Sequence, residues 1–194
     1  QRNETMTARA DATPDATSGT AGPGTWIALI AGLTVMGSFA LACVAPLAAV
    51  GALAALTLRR TEGLGLVLAA WLANQAVGFL LLSYPHTLDT YAWGAAIGVA
   101  AVLGYLAAAV VAPRIRSSLL ATGAAFVAAF AVYQLVLYAF GLATAYAGDS
   151  FSLAIVGEVL AINAVAYVGF LVIHRAAVAL TLIKPVPHAA PASA

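Results

Sequence analysis

The chain has 194 residues, of which 63% are hydrophobic and 8% charged, and its mean hydropathy is +1.00. Soluble domains hold about 45–50% apolar and about 25% charged residues, so the composition excludes a water-soluble domain and implies an integral membrane protein. The formal net charge of +1 supplies no clustered basic surface for nucleic acid, and the single cysteine, Cys43, can neither close an intrachain disulfide nor build a thiolate metal site.

Residues 1–24 are rich in Thr, Ala, Asp, Gly and Pro without apolar periodicity, which predicts a disordered polar tail. Met6 is the expected natural start. A cleaved secretory signal is not expected, because no basic region lies directly before the apolar run. The stretch Ala40–Cys43 matches a lipoprotein box only poorly.

From Thr25 onward, apolar runs alternate with short polar breaks. Residues 25–58 carry no charge over 34 positions, about 50 Å of helix at ~1.5 Å per residue, whereas one untilted span needs about 20 residues. Pro46 removes a backbone donor inside this run and divides it. The expectation is an all-α, polytopic transmembrane helical bundle over residues 25–183. Its six segments are 25–44, 46–58, 63–83, 91–112, 117–145 and 151–183, or five if 25–58 is one bent helix. The last two exceed the bilayer and are expected to tilt or project from it. Residues 184–194 form a C-terminal tail.

Charge placement orders these crossings. Arg59 and Arg60 share one break, Arg114 and Arg116 another, and Arg175 and Lys184 lie at the C-terminal end. The alternate breaks contain Asp89 and Asp149 without Lys or Arg. The positive-inside rule makes the arginine side, with the C-terminus, cytoplasmic in a multi-pass protein of the inner (plasma) membrane. The N-terminus is inside if 25–58 is two helices and outside if it is one. In the external break SYPHTLDTYAW, Tyr84, Tyr91 and Trp93 suit the headgroup boundary, Pro85 ends the preceding helix, and Asp89 or Thr90 is the expected cap of the next.

Polar residues inside the apolar spans are the informative positions, because each is costly in hydrocarbon unless paired. Asn74 and Gln75 lie in one helix, Gln134 beside Tyr133 in another, and Glu158, Asn163, Tyr167 and His174 in the last. Counting at ~1.5 Å per residue puts Asn74, Gln75, Gln134 and Glu158 at one level, about 12–15 Å below the outer surface. These four are the candidate ligand-binding residues. Interhelical hydrogen bonding without a ligand explains the amides equally well, whereas a buried carboxyl at Glu158 points towards a site or a proton relay. Asn163 falls about 140° from Glu158 on the helical wheel and is expected outside the set. His174 sits near the cytoplasmic end, and His86 and His188 are too distant in topology to form a two-histidine haem site. No metal or cofactor is therefore expected.

Small residues recur as Gly94-xxx-Gly98, extended by Ala101 and Tyr105, and as Ala45-xxx-Ala49 and Gly51-xxx-Ala55. Such spacing lets helices approach closely, within the bundle by default and against a partner subunit as the alternative. The sequence holds no Walker loop, GxSxG elbow, HExxH or CxxC, and it is not expected to be an enzyme by itself.

In this arrangement the chain resembles the substrate-capturing S-components of energy-coupling-factor transporters. Asn74, Gln75, Gln134, Glu158, the external loops and the Ala45-xxx-Ala49 pair carry the resemblance. It implies a bundle of about six helices with both termini inside, and a vitamin-type micronutrient held by those polar residues. It also implies partner membrane subunits, with an AxxxA-type motif on the first helix docking the coupling subunit. Here that pair follows a proline in the second segment, a departure from the family pattern. A non-catalytic accessory subunit of a respiratory or photosynthetic membrane complex is the alternative. A membrane enzyme or proton-coupled carrier using Glu158 and His174 comes third, since neither has a second acid or base nearby. All three readings place the lipid bilayer around the bundle.

Overall fold

The computed structural model of the protein describes residues 45–144 and 151–182, together with Gly24, Ile30 and Gly32. The expected tails, most of the expected 25–44 segment, Cys43, Asp149 and Lys184 lie outside the described residues. Five helices follow in chain order: α1 (Leu47–Thr57), α2 (Arg60–Ala76), α3 (Leu88–Val111), α4 (Ser118–Ala143) and α5 (Leu153–Ala179). A π-helical turn, Val77–Leu81, extends α2, and a 3-10 turn, Ala112–Arg114, extends α3. The described residues contain no strand, and the class is all-α.

Local chemistry explains the boundaries. Pro46, without an N–H, starts α1, so the apolar run does divide there. Glu62 opens α2 by accepting from the Arg59 amide at 3.3 Å, which offsets two arginines at a helix end that disfavours cations. At the far end, α2 widens into its π turn and stops before Pro85 is reached. The Tyr84 amide donates back to the Gly78 carbonyl at 3.0 Å, with Ser83 between them in the left-handed region at φ 54°. Gly78 is required for this fold-back, because a Cβ there would lie 2.6 Å from the Tyr84 ring. The cap of α3 is Thr87 rather than the expected Asp89 or Thr90. Its hydroxyl accepts from the Thr90 amide at 3.3 Å and pairs with the Thr90 hydroxyl at 2.9 Å. Ser117 and Ser152 cap α4 and α5.

Four of these elements, at 22, 27, 26 and 27 residues including the added turns, are long and apolar enough to cross a bilayer. The chain is thus built as a multi-pass integral membrane protein. α1 is different. At ~1.5 Å per residue its 11 residues reach only about 16 Å, half of a hydrocarbon core. It packs against all four spanning helices, and every residue from Leu47 to Ala54 is buried. Ile30 is wholly buried in the same core.

α3 and α4 make the most extensive helix pair. They meet so closely at Gly104 that a Cβ there would lie 2.8 Å from the Ala129 carbonyl oxygen. The Gly94-xxx-Gly98 face packs inside the bundle against α2, where Trp71 Nε1 and Gln75 Nε2 both donate to the Gly94 carbonyl, at 2.8 and 3.2 Å. Tyr105 reaches from α3 to donate to the Arg60 carbonyl at 2.9 Å, tying the middle of the bundle to its arginine-bearing end. The pair Ala45-xxx-Ala49 is buried by the chain's own helices, so it offers no surface to a partner subunit.

α5 is the least enclosed helix. It lies mainly against α1 and only lightly on α4. Tyr167 fastens it by donating to the Thr122 carbonyl at 2.9 Å and by stacking on Phe126 at a centroid distance of 5.0 Å.

Candidate functional site

The site is built around the start of α1. A helix that begins inside the bundle exposes amides that no preceding turn can satisfy, and in a bilayer no water is at hand to do so. The Leu47 amide donates to the Ala45 carbonyl at 2.8 Å, and the Ala49 amide donates to Asn163 Oδ1 of α5 at 3.2 Å. Asn163 Nδ2 in turn donates to the Val159 carbonyl at 3.0 Å, which fixes the orientation of the amide. Asn163 is 1% exposed, the one buried polar or charged side chain among the described residues. It acts as an N-cap supplied by another helix.

Directly beside this junction lies a half-enclosed cavity of about 210 Å³. Ala45 and Leu47 form its wall at the α1 start, with Ile97 from α3, Phe151 from just before α5, and Ile155 and Val159 from its first turns. Its polar lining is Asn74 from α2 with Tyr133 and Gln134 from α4. Asn74 stands seven residues before the end of the α2 extension and Gln134 nine before the end of α4, which puts both about 10–14 Å inside the end opposite the arginines. α5 lies only lightly on α4, and Tyr138 meets Phe151 edge-on at 5.3 Å near the same end.

None of the three polar side chains makes a hydrogen bond to any described residue. Tyr133 is the sharpest case, since it is 8% exposed yet its hydroxyl has no partner among the described residues. An unpaired polar group in an apolar surround carries a penalty of about 1–3 kcal/mol, so three of them facing one cavity form a set of donors and acceptors aimed at a common space. Apart from the Tyr133 phenol, the described residues of the lining include no ionisable side chain.

The structure therefore brings together two of the four residues singled out from the sequence, Asn74 and Gln134. Gln75 points to the other side of α2 and is engaged with the Gly94 carbonyl. Glu158 is exposed, makes no contact with the cavity and has no hydrogen bond or ion pair among the described residues. The expected exchange is reversed on α5: Asn163, set aside from the sequence, is buried beneath the cavity, and Glu158 faces outward. The reason is the wheel geometry already noted, since burying Asn163 and Tyr167 together rotates Glu158 out of the bundle. Tyr133 was adjacent to Gln134 in the sequence but carried no signal of its own. Its burial comes from the packing of α4.

Two further features frame the site. Near the same end, Phe79 stacks on His86 and on Tyr91, at 5.4 and 5.1 Å, and His86 Nδ1 bonds the Tyr91 hydroxyl at 2.8 Å. This holds the 82–87 loop against the bundle. Trp93 instead packs edge-on to Phe140 at 4.9 Å, bridging α3 and α4. Among the described residues no three His, Cys, Asp or Glu side chains gather as a metal centre. His174 is half-buried towards the arginine end.

Compared with protein-family models, with curated proteins and with solved structures, the chain matches none.

Proposed function

We propose that this membrane protein captures a small molecule in the cavity beside α1 and serves as the substrate-binding subunit of a micronutrient transporter, without turnover of its own. The observation that carries this reading is the convergence of Asn74, Tyr133 and Gln134, all without hydrogen-bond partners among the described residues, on one cavity at the start of a buried half-helix. Discontinuous helices whose ends face a midplane site are a recurrent device of transporters. The arginines at Arg59, Arg60, Arg114, Arg116 and Arg175 lie at the opposite end and support an orientation with that end cytoplasmic and the cavity nearer the outside of the plasma membrane.

Purification in mild detergent from native membranes tests the role. A membrane partner together with a nucleotide-hydrolysing subunit is the expected result, because this chain carries no phosphate-binding loop. The alternative, an accessory subunit of a respiratory or photosynthetic complex, draws on the outward, unpartnered Glu158 and the thinly covered α5, and recovery of such a complex would establish it instead. Orientation is tested in a Cys43→Ser background. Cysteine at Asp89 should label from outside, and labelling at Arg114 from outside would invert the topology.

A further inference from the structure

The chemistry of the cavity wall narrows what it can hold. We infer that the cavity takes an uncharged, single-ring molecule carrying one carboxamide-type group, which both donates and accepts hydrogen bonds. The inference rests on the capture reading above and adds the ligand's charge, size and hydrogen-bonding pattern.

Charge is decided by what lines the site. Among the described residues the lining has no Lys, Arg, His, Asp or Glu, so there an ionic ligand would exchange water for an apolar wall without a counter-charge. The start of α1 is the one feature that favours an anion, since a helix N-terminus carries about half a positive charge. Two of its three first-turn amides are already engaged, which leaves the buried Ala48 amide alone. Pro46 has no N–H, the Leu47 amide serves the Ala45 carbonyl, and the Ala49 amide serves Asn163. An anion arriving there would meet a single backbone donor unless it displaced Asn163, the residue that joins α5 to α1.

Hydrogen bonding is decided by the three unpartnered groups. Asn74 and Gln134 each present an NH2 donor and a carbonyl acceptor, and the Tyr133 hydroxyl does both. A carboxamide is complementary to that set, whereas a carboxylate offers acceptors alone and an ammonium donors alone. Size follows from volume. A cavity of ~150 Å³ holds benzene. The remaining space, about 60 Å³ of the 210 Å³, is near the volume of two waters at ~30 Å³ each, which is room for one small substituent. Phe151 and the aliphatic side chains of Leu47, Ile97, Ile155 and Val159 supply the apolar walls for the ring.

The test uses the full chain in lipid nanodiscs and three probes with one ring and different charge: benzamide, benzoate and benzylammonium, titrated by saturation-transfer NMR at neutral pH. Benzamide should bind at least about tenfold more tightly than either ion. Tyr133→Phe and Gln134→Leu should each weaken it about three- to tenfold, the loss of one neutral hydrogen bond. Tyr133→Phe keeps the ring in place and guards against a folding artefact. Tighter binding of benzoate or benzylammonium overturns the ligand class and leaves the capture reading standing, as does benzamide binding that neither variant alters. Binding of none of the three overturns the class as well. If the Asn74→Leu/Gln134→Leu double variant is then more stable than the parent, the polar groups serve no ligand and the capture reading falls with it.

Discussion

α1 and α5 both lack a strong amphipathic pattern and are both overwhelmingly apolar, yet they occupy opposite environments. α1 is enclosed on every side by four neighbours, whereas most of α5 faces outward, with Val165 75% exposed and Val172 61%. In water such strings would both be driven inward. In a bilayer the lipid is as apolar as the core, so hydrophobicity does not sort helices, and shape and polar anchoring take over. α1 is thin: Ala48, Ala49, Gly51, Ala52, Ala54 and Ala55 leave a narrow cylinder against which four helices can close. α5 carries branched side chains around most of its circumference, and is held by Asn163, Tyr167 and Phe170 along one edge.

The contrast can be broken most directly with added volume. Gly51→Leu in α1 must push into α3, because a Cβ at Gly51 would already lie 3.3 Å from the Tyr105 backbone. A loss of about 1–3 kcal/mol or more is expected, read as a fall in thermal midpoint in detergent. Gly169→Leu in α5, where nothing lies within 4 Å, should stay within about 0.5 kcal/mol of the parent. Equal losses at the two sites would mean that α5 is enclosed by something as tightly as α1.

Asn163→Leu should come close behind. It leaves the Ala49 amide without its acceptor inside the bundle, and about 1–3 kcal/mol should disappear from equilibrium unfolding in mixed micelles. An unchanged midpoint would show that α1 does not depend on α5 for its cap. Tyr167→Phe removes one neutral hydrogen bond to Thr122 but keeps the stack on Phe126, so a smaller loss of about 0.5–1.5 kcal/mol is expected in the same assay. Glu158→Gln should be the mildest of the series, below about 0.5 kcal/mol, because the exposed carboxyl has no partner among the described residues to lose. A drop as large as that of Asn163→Leu would place Glu158 in a contact within the folded chain.

The candidate site was half legible beforehand, and the division falls between depth and direction. Depth along a spanning helix is counted in residues, so Asn74 and Gln134 were placed at one level, and they share a cavity. Direction around the helix depends on which face the neighbours cover. Asn74 and Gln75 are adjacent and about 100° apart, and one lines the cavity while the other bonds α3. Tyr133 and Gln134 are adjacent too, and both line it, because α4 turns that sector towards the start of α5.

The sequence by itself determined the medium, the helices and their order. Long uncharged runs require a bilayer, and a bilayer requires that every backbone group be satisfied within its own helix, so the expected segments 63–83, 91–112, 117–145 and 151–183 differ from α2 to α5 by only a few residues at their ends. Proline at position 46 was likewise enough to separate α1 from what precedes it. The tertiary structure alone decided that this short helix lies at the centre, that Asn163 rather than Glu158 turns inward, and that the GxxxG face serves α2 instead of a partner. Those choices rest on close packing and on satisfying a few buried polar groups, and an almost uniformly apolar sequence carries no periodic signal for either.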